Sequence, residues 1–393
     1  MTFFEQTHSM MKQKKLPRWW FYFVIPVGST ILTIMFIELV FVIFHPIPFS
    51  IEKNMYFEAD PFTGYKLKPN SMGYFQQLIP AQANKNGHRD ELVLIKKTDG
   101  TLRILVLGDS FTVGANVAQD DIYVEVLETL LTKNNKSPVE VINTGVGGWQ
   151  PFQYAQYYEH YGWKFSPDII LVGFFVGNDT YDKMTNVQQL RTAILGRRIS
   201  RKAALERFIS LKVFMYNHSN IARLILNKRA ITRSRRLIRK HCADFSDSYL
   251  NIQHNRMPNH LKRTNTQEKL AQNSIEQIKR IKKLAERDSI PLVIVLIPDE
   301  NQININLQQA LLTNKKRKKF DFEMPQSMLK DMFADIAIPV IDLLPSFLED
   351  SRCLYMNDTH WTAKGHALAA EVIHEKLIGE KMLPELTQNN WHK

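Results

Sequence analysis

Cysteine is nearly absent from this chain of 393 residues, with Cys242 and Cys353 the only two. Two thiols cannot build a disulfide framework or a cysteine-based zinc site. Buried free thiols are the expected state of such a pair, and a single bridge in an oxidising compartment is the alternative. Internal repeats are also missing, which excludes a solenoid or a propeller. With 44% hydrophobic and 23% charged residues, the composition is that of a globular protein and excludes disorder, collagen and coiled coil. The length suffices for one large domain or two ordinary ones. Acidic residues are scarce in one place. Within 191–240, fifteen Lys or Arg stand against a single acid, Glu206, so this window's net charge of +14 exceeds the +12 of the whole chain. The remainder is close to neutral, and the basicity is local.

The long apolar run falls near the N-terminus, from Trp19 to Phe44. It exceeds the roughly 20 residues that a bilayer crossing needs. Lys12, Lys14, Lys15 and Arg18 precede it, and Trp19, Trp20, Phe21 and Tyr22 suit a headgroup boundary. A cleaved signal peptide would have a shorter apolar core and a small-residue cleavage site, whereas this run ends in Phe44-His45-Pro46. The expected topology is a cytoplasmic basic tail over 1–18, a single-pass anchor over 19–44, and everything from about residue 46 outside. Glu38 is the costly residue, since a carboxylate at the bilayer centre costs about 2.5–3.5 kcal/mol on insertion scales. It lies toward the outer end and is expected to mark a helix–helix contact.

Residues 46–100 read as a connecting, partly β segment, with turn signals at Gly64, Pro69-Asn70, Gly73 and Asn86-Gly87. Beyond them the pattern becomes regular. Short β-branched apolar runs at 103–107, 139–142, 169–175, 292–297 and 339–343 alternate with helical periodicity at 121–131, 152–161, 266–288, 326–336 and 362–378. This alternation predicts an α/β domain over 101–385, a doubly wound, flavodoxin-like parallel sheet of five strands. Its active crevice should lie at the carboxyl ends of the strands. The stretch 183–263 interrupts the alternation and reads as a basic helical insertion, with helices at 202–212 and 220–240.

Three pieces of sequence at those strand ends carry chemistry. The first strand runs into Gly108-Asp109-Ser110-Phe111, the turn a serine nucleophile needs, although on its own GDS is a weak signal and Ser110 could simply cap a helix. Asn357-Asp358-Thr359-His360-Trp361 precedes the last helix. There His360 can take the serine proton on one ring nitrogen while Asp358 fixes the other. The second and third strands end in Asn143-Thr144-Gly145-Val146-Gly147-Gly148-Trp149 and Gly177-Asn178-Asp179. A glycine N–H and the Asn178 amide can join the Ser110 N–H in an oxyanion hole.

Taken in order, these blocks resemble the SGNH (GDSL-type) hydrolase family over about residues 102–378. Ser110 matches the first block, Gly148 the second, Asn178 the third and His360 the fourth; Asn86-Gly87-His88-Arg89-Asp90 is similar to a lead-in of bacterial membrane-anchored members. Phe111 replaces the leucine of GDSL. The acid falls two residues before His360 rather than three, the other position being Asn357, and the resemblance assigns Asp358 as the orienting carboxylate. It implies a serine esterase or O-acyltransferase that needs no cofactor and no metal. The implied substrate is O-acylated, in particular O-acetylated, cell-envelope carbohydrate. A catalytically silent envelope-polysaccharide assembly factor on the same scaffold is the alternative reading. A phosphate- or flavin-binding module does not fit, because no Gly-rich phosphate loop follows the first strand.

The basic stretch 191–240 is expected to meet an anionic surface, either lipid headgroups beside the anchor or an acidic glycan. Ile221, Leu224, Ile225, Leu226, Ile231, Leu237 and Ile238 interleave with its charges, a spacing that serves a helix lying on a membrane and one docked on its own domain equally, and a solvated charged face without a partner is the alternative. Nucleic acid is not the expected partner outside the cytoplasm.

Overall fold

The structure is a computed structural model, and it describes residues 19–44, 57–75, 79–134, 137–181, 211, 214–215, 218–234, 242–312 and 319–384. Nearly all of the helix expected at 202–212, and residues 235–240 of the one expected at 220–240, lie outside these.

Helix α1 (Trp19–Phe44) stands apart from the core: its stretch Phe21–Val40 is long and apolar enough to cross a membrane and none of it is buried in the protein. Its serine and threonine side chains are satisfied locally, as Ser29, Thr30 and Thr33 donate their hydroxyls to carbonyls about one turn back at 3.0, 2.7 and 2.8 Å. Two antiparallel hairpins follow, β1 (Phe57–Asp60) with β2 (Gly64–Leu67) and β3 (Ser71–Phe75) with β4 (Ile79–Ala83). Then come β5 (Leu102–Gly108), α2 (Tyr123–Asn134), β6 (Val139–Asn143), α3 (Pro151–His160) and β7 (Ile169–Phe175). Helices α4 (Asn220–Ser234) and α5 (Asp247–Arg256) belong to the insertion. The α/β pattern resumes with α6 (Asn265–Glu286), β8 (Leu292–Ile297), α7 (Met324–Ala334), β9 (Val340–Asp342) and α8 (Ala363–Gly379).

The five strands form one parallel sheet in the order β6-β5-β7-β8-β9, the flavodoxin-like order expected from the sequence. All seven residues of β5 are buried, as befits a central strand of a parallel sheet. Because side chains alternate along a strand, β5 divides its residues between two layers. Leu105 and Leu107 join α3, α6 and α7 through Tyr154, Ile278 and Phe333, whereas Leu102, Ile104 and Val106 join α2 and α8 through Leu127 and Ile373. Each fully buried aliphatic contributes about 1.5–3 kcal/mol, so the sheet is a rigid platform on which the strand-end loops are mounted.

The segment 57–90 does more than connect. Tyr65, Leu67, Ala81 and Ala83 are part of the first layer. Arg89 is 2% exposed. Its guanidinium donates to the carbonyls of Val113 (2.9 Å), Gly114 and Val117 (2.7 Å), pinning the loop that follows Ser110. His88 is buried with Nε2 2.6 Å from the Tyr157 hydroxyl, and burial, then Lys66, push its pKa down to about 3. It is a neutral, structural imidazole.

Next to Arg89, Asp90 accepts the Asn143 N–H at 2.8 Å, and Glu128 of α2 accepts the Val141 N–H at 2.6 Å. These half-buried carboxylates crowd Glu125. Burial first, then the charges of Glu128 and Glu91, push Glu125 up to about 7. A carboxyl group raised in the folded state favours folding while protonated, and that contribution is lost as pH climbs from the unfolded value of 4.5 towards 7. Glu125→Gln should therefore stabilise the full-length protein in detergent by about 1–2 kcal/mol at pH 8, with a gain that shrinks towards pH 4. Thermal melts across that range check this. Equal melting temperatures at pH 8 would mean that Glu125 is not held above its ordinary range.

Candidate active site

The turn after β5 is shaped by crowding. A Cβ on Gly108 would lie 1.9 Å from Thr112 Oγ1, one on Gly173 would lie 2.7 Å from the same atom, and one on Gly145 would lie 2.4 Å from Val113 N. Three strand-end positions thus have to be glycine for the chain after Ser110 to fold back over the sheet. Asp109 is fully buried beneath this turn. It accepts the Phe111 N–H at 2.9 Å and the Asn178 amide at 3.0 Å. Burial raises its pKa despite those two bonds and the positive charge of Arg256.

Ser110 Oγ lies 2.9 Å from His360 Nε2, and His360 Nδ1 lies 3.2 Å from Asp358 Oδ2. Residues 250 positions apart meet because β5 is central and the 357–361 loop leads into α8 beside it. Asp358 also accepts the His360 N–H at 3.2 Å and the Asn116 side-chain amide. Burial on its own would raise the Asp358 pKa, but the imidazole of His360 and the bonds from His360 and Asn116 outweigh it and hold the carboxyl below its ordinary range. The carboxylate is ionised at neutral pH. Between the two, Thr359 has φ +79°, an unfavourable conformation for a β-branched residue that costs about 1–3 kcal/mol. The bonds on either side sustain it. The Phe111 ring is 5.5 Å from the His360 ring and 4.9 Å from that of Trp361, so the residue that replaces leucine in the GDS turn packs against the imidazole.

Gly148 has φ +82°, which suits glycine alone, and a Cβ there would approach the Tyr65 hydroxyl at 3.0 Å. Its loop is held from two sides. Val146 N–H bonds to Gly108 O at 3.1 Å, while the Tyr65 hydroxyl donates to Gly147 O and Trp149 Nε1 donates to Tyr65 O, both at 3.0 Å. Among the described residues, neither the Ser110 nor the Gly148 N–H has an intramolecular acceptor. Asn178 is fixed through Asp109, which takes one of its two amide hydrogens. Ser110, His360 and Asp358 are thus in direct contact, while Asn178 and Gly148 border them through Asp109 and Gly108.

The insertion was expected to lie outside the core pattern, yet its last part reaches the site. Arg256 stacks 5.1 Å over the Phe175 ring, donates to Thr359 Oγ1 at 3.3 Å and pairs with buried Asp299 at 3.5 Å. Burial raises the Asp299 pKa, but Arg256 and His260 prevail and hold it low. Asn259 donates to Gly177 O at 2.9 Å, gripping the loop that bears Asn178. Beside that grip lies a cleft of about 430 Å³ lined by Tyr181, Pro258, Asn259, Leu261, Lys262 and Gln267 among others. The expectation of free thiols is corrected: Cys242 and Cys353 form a disulfide, Cα–Cα 5.3 Å. Both lie on loops that converge at the site, one where the described part of the insertion resumes and one five residues before Asp358. Asn116, Tyr65 and Arg256 carry no local signature that sequence reasoning could have used; Arg89 stands in the 86–90 lead-in, which does not reveal its bonds to the 113–117 loop, and an isolated cysteine pair in a chain expected to face outward could have been read as a bridge. Among the described residues, no group of three or more His, Cys, Asp or Glu is arranged to hold a metal.

Residues 257–391 match the model of a family described as SGNH hydrolase-like domain, acetyltransferase AlgX. The match contains Asp358 and His360 and begins beyond Ser110. A search of curated proteins finds no match. Similar solved structures include a lipase/acylhydrolase from Enterococcus faecalis, at 12% identity, 71% of this chain, 96% of that chain and TM-score 0.36. A GDSL-like lipase from Bacteroides thetaiotaomicron VPI-5482 shows 11% identity over 74% of this chain and 93% of that chain, TM-score 0.33. A two-domain esterase active on acetylated mannans shows 14% identity over 73% of this chain and 51% of that chain, TM-score 0.38. These structural likenesses are too distant to carry a functional argument.

The disulfide closes a loop of 111 residues, and such a bridge contributes about 2–5 kcal/mol. Cys242→Ser with Cys353→Ser should lower the melting temperature by several degrees and raise amide exchange in 242–260 and 353–360 together. Unchanged exchange in either segment would mean that the bridge does not hold the insertion to the Asp358 loop.

Proposed function

We propose that this SGNH hydrolase-like domain of AlgX type is a serine-dependent esterase or O-acyltransferase that works through a covalent acyl-enzyme, with O-acylated cell-envelope carbohydrate as its substrate. The observation that carries this reading is the line of contacts Ser110–His360–Asp358 at 2.9 and 3.2 Å. Ser110 Oγ attacks the ester carbonyl as His360 Nε2 takes its proton, and the ionised Asp358 stabilises the resulting imidazolium through Nδ1. The N–H groups of Ser110 and Gly148 and the second amide hydrogen of Asn178 receive the developing oxyanion. His360 returns the proton to the departing sugar oxygen and then activates water, or a second sugar hydroxyl, against the acyl-enzyme. Asn116, by donating to Asp358, fixes which lone pairs remain for the imidazole.

The substrate class rests on three supports: the family description that names an acetyltransferase, the apolar N-terminal helix long enough to cross a membrane, and the disulfide, which suits an oxidising compartment. The cleft next to the Asn259–Gly177 contact, with two amides, a lysine and hydroxyls around Pro258, Leu261 and Leu270, has the mixed character that sugar rings require.

A fluorophosphonate probe should label the full-length protein at Ser110, and Ser110→Ala should abolish labelling without lowering the melting temperature. On an acetylated sugar ester, Asp358→Asn should reduce turnover about 10⁴-fold, and Asn116→Ala by a smaller factor. Labelling that persists in the Ser110→Ala variant would place the nucleophile elsewhere. Acetylated product that forms only when an acceptor sugar is supplied would identify transfer rather than hydrolysis.

A further inference from the structure

Glu38, the one carboxylate in the apolar run of α1, is bound by the insertion. It accepts the Ser219 hydroxyl at 3.0 Å, the Asn220 N–H, and the Ile221 N–H at 3.2 Å. These are donors at the first turn of α4, where backbone N–H groups lack intrahelical partners and a negative charge is favoured. The contact solves two problems at once. It satisfies a carboxylate that would otherwise be costly in hydrocarbon, and it caps a helix that begins with no acidic residue of its own. A removable leader would not supply a capping group to the folded domain, so the contact also argues that α1 is retained.

Among the described side chains of α4, the exposed ones share one face. Ile221 is half-buried, and Leu224, Ile225, Lys228, Arg229 and Thr232 are exposed, at spacings of three and four that align on a helix. The helix contacts β4, and Ala222, at the flank of that face beside Arg229, is buried. Apolar residues occupy the first two turns of the exposed face and basic ones the third. The spacing matches depth. Glu38 lies six residues, about 9 Å, inside the outer end of α1 at Phe44. Lys228 and Arg229 lie eight and nine residues beyond Asn220, about 12–13 Å along α4. A helix that starts about 9 Å below the end of the apolar run and climbs outward keeps Leu224 and Ile225 at acyl-chain level and brings the two cations to the headgroups. Leu211, Phe214 and Met215, at 55%, 60% and 40% exposed, precede it in the chain.

We infer that α4 lies in the outer membrane–water interface beside α1, its Leu224–Ile225 face in the acyl region and Lys228 and Arg229 on the phosphates of anionic lipids, so that the catalytic domain is held at a fixed height above the bilayer. Each basic residue near an anionic surface contributes about 1 kcal/mol, and the Lys and Arg stems reach upward from the apolar layer. The inference does not rest on the proposed chemistry. It concerns where the domain sits, and it selects a lipid surface over an acidic glycan because the apolar residues on the same face, next to α1, would be wasted on a polysaccharide.

The test uses the full-length chain in nanodiscs of phosphatidylcholine with or without phosphatidylglycerol. A nitroxide is placed by Ile225→Cys or, separately, Thr232→Cys, and its collisions with oxygen and with a water-soluble nickel chelate are compared. At position 225 oxygen collisions should outnumber nickel collisions, and at 232 the order should reverse. Phosphatidylglycerol should lower the mobility of the label at 232, and Lys228→Gln with Arg229→Gln should abolish that difference while leaving Ser110 labelling by fluorophosphonate unchanged. Glu38→Gln, which keeps the helix but removes the charge, should raise label mobility at 225 several-fold. Nickel collisions dominating at 225 would overturn the placement. Mobility at 232 that ignores phosphatidylglycerol but responds to a soluble acidic glycan would overturn the choice of partner.

Discussion

The site hangs on one carboxylate. Asp358 accepts the Asn116 amide and faces His360 Nδ1 at 3.2 Å, joining segments 242 residues apart in the chain. Asn116 belongs to the loop that leaves Ser110, and that loop is itself clamped by Arg89. The chain of contacts therefore runs from the hairpin segment through Arg89, the 113–117 loop, Asn116 and Asp358 to His360 and back to Ser110. Loss of any member loosens the geometry of the rest, because a buried carboxylate deprived of a donor is itself costly. Crowding supplies the complementary constraint. Gly108, Gly145 and Gly173 leave no room for the Thr112 turn to sit anywhere else.

The insertion acts on this arrangement from outside the sheet. Arg256 reaches Thr359, Asn259 reaches Gly177, and the disulfide joins Cys242 to Cys353. Three separate attachments thus connect one inserted segment to the two loops that carry Asp358, His360 and Asn178. At its other described end the same insertion receives Glu38 from α1. A single stretch of chain links the apolar helix to the candidate site. That continuity gives a physical reason for an insertion that is basic at one end and packed into the domain at the other.

Much of this was legible in the sequence, for identifiable reasons. The five strands were readable because both faces of a parallel sheet are buried, which writes uninterrupted β-branched runs such as 169–175. The blocks around Ser110 and His360 were readable because a strand that ends in a glycine turn, and a loop that leads into a final helix, leave local marks. Glu38 was readable as a misfit awaiting a partner, and it has one. Asn116 and Arg256 were not readable, and Arg89 was readable only as part of the 86–90 motif and not in its role, since each acts through a contact set only by the fold. The free-thiol expectation failed because pairing depends on where two distant loops converge, and composition does not encode that. The segment 46–100 read as a connection because its short strands lack long apolar runs; its contribution lies in a few residues, Tyr65, Leu67 and Arg89, that sit in or on the core.

The central claim is that Ser110 carries an acyl group during turnover. Rapid acid quenching of the full-length protein with an activated acetyl ester, followed by peptide mass analysis, tests it most directly. The account predicts an acetyl adduct on the peptide containing Ser110, formed and lost within a turnover, and only a trace of it in the His360→Ala variant. Turnover of the ester without an adduct at Ser110, or with the adduct on another residue, would contradict it.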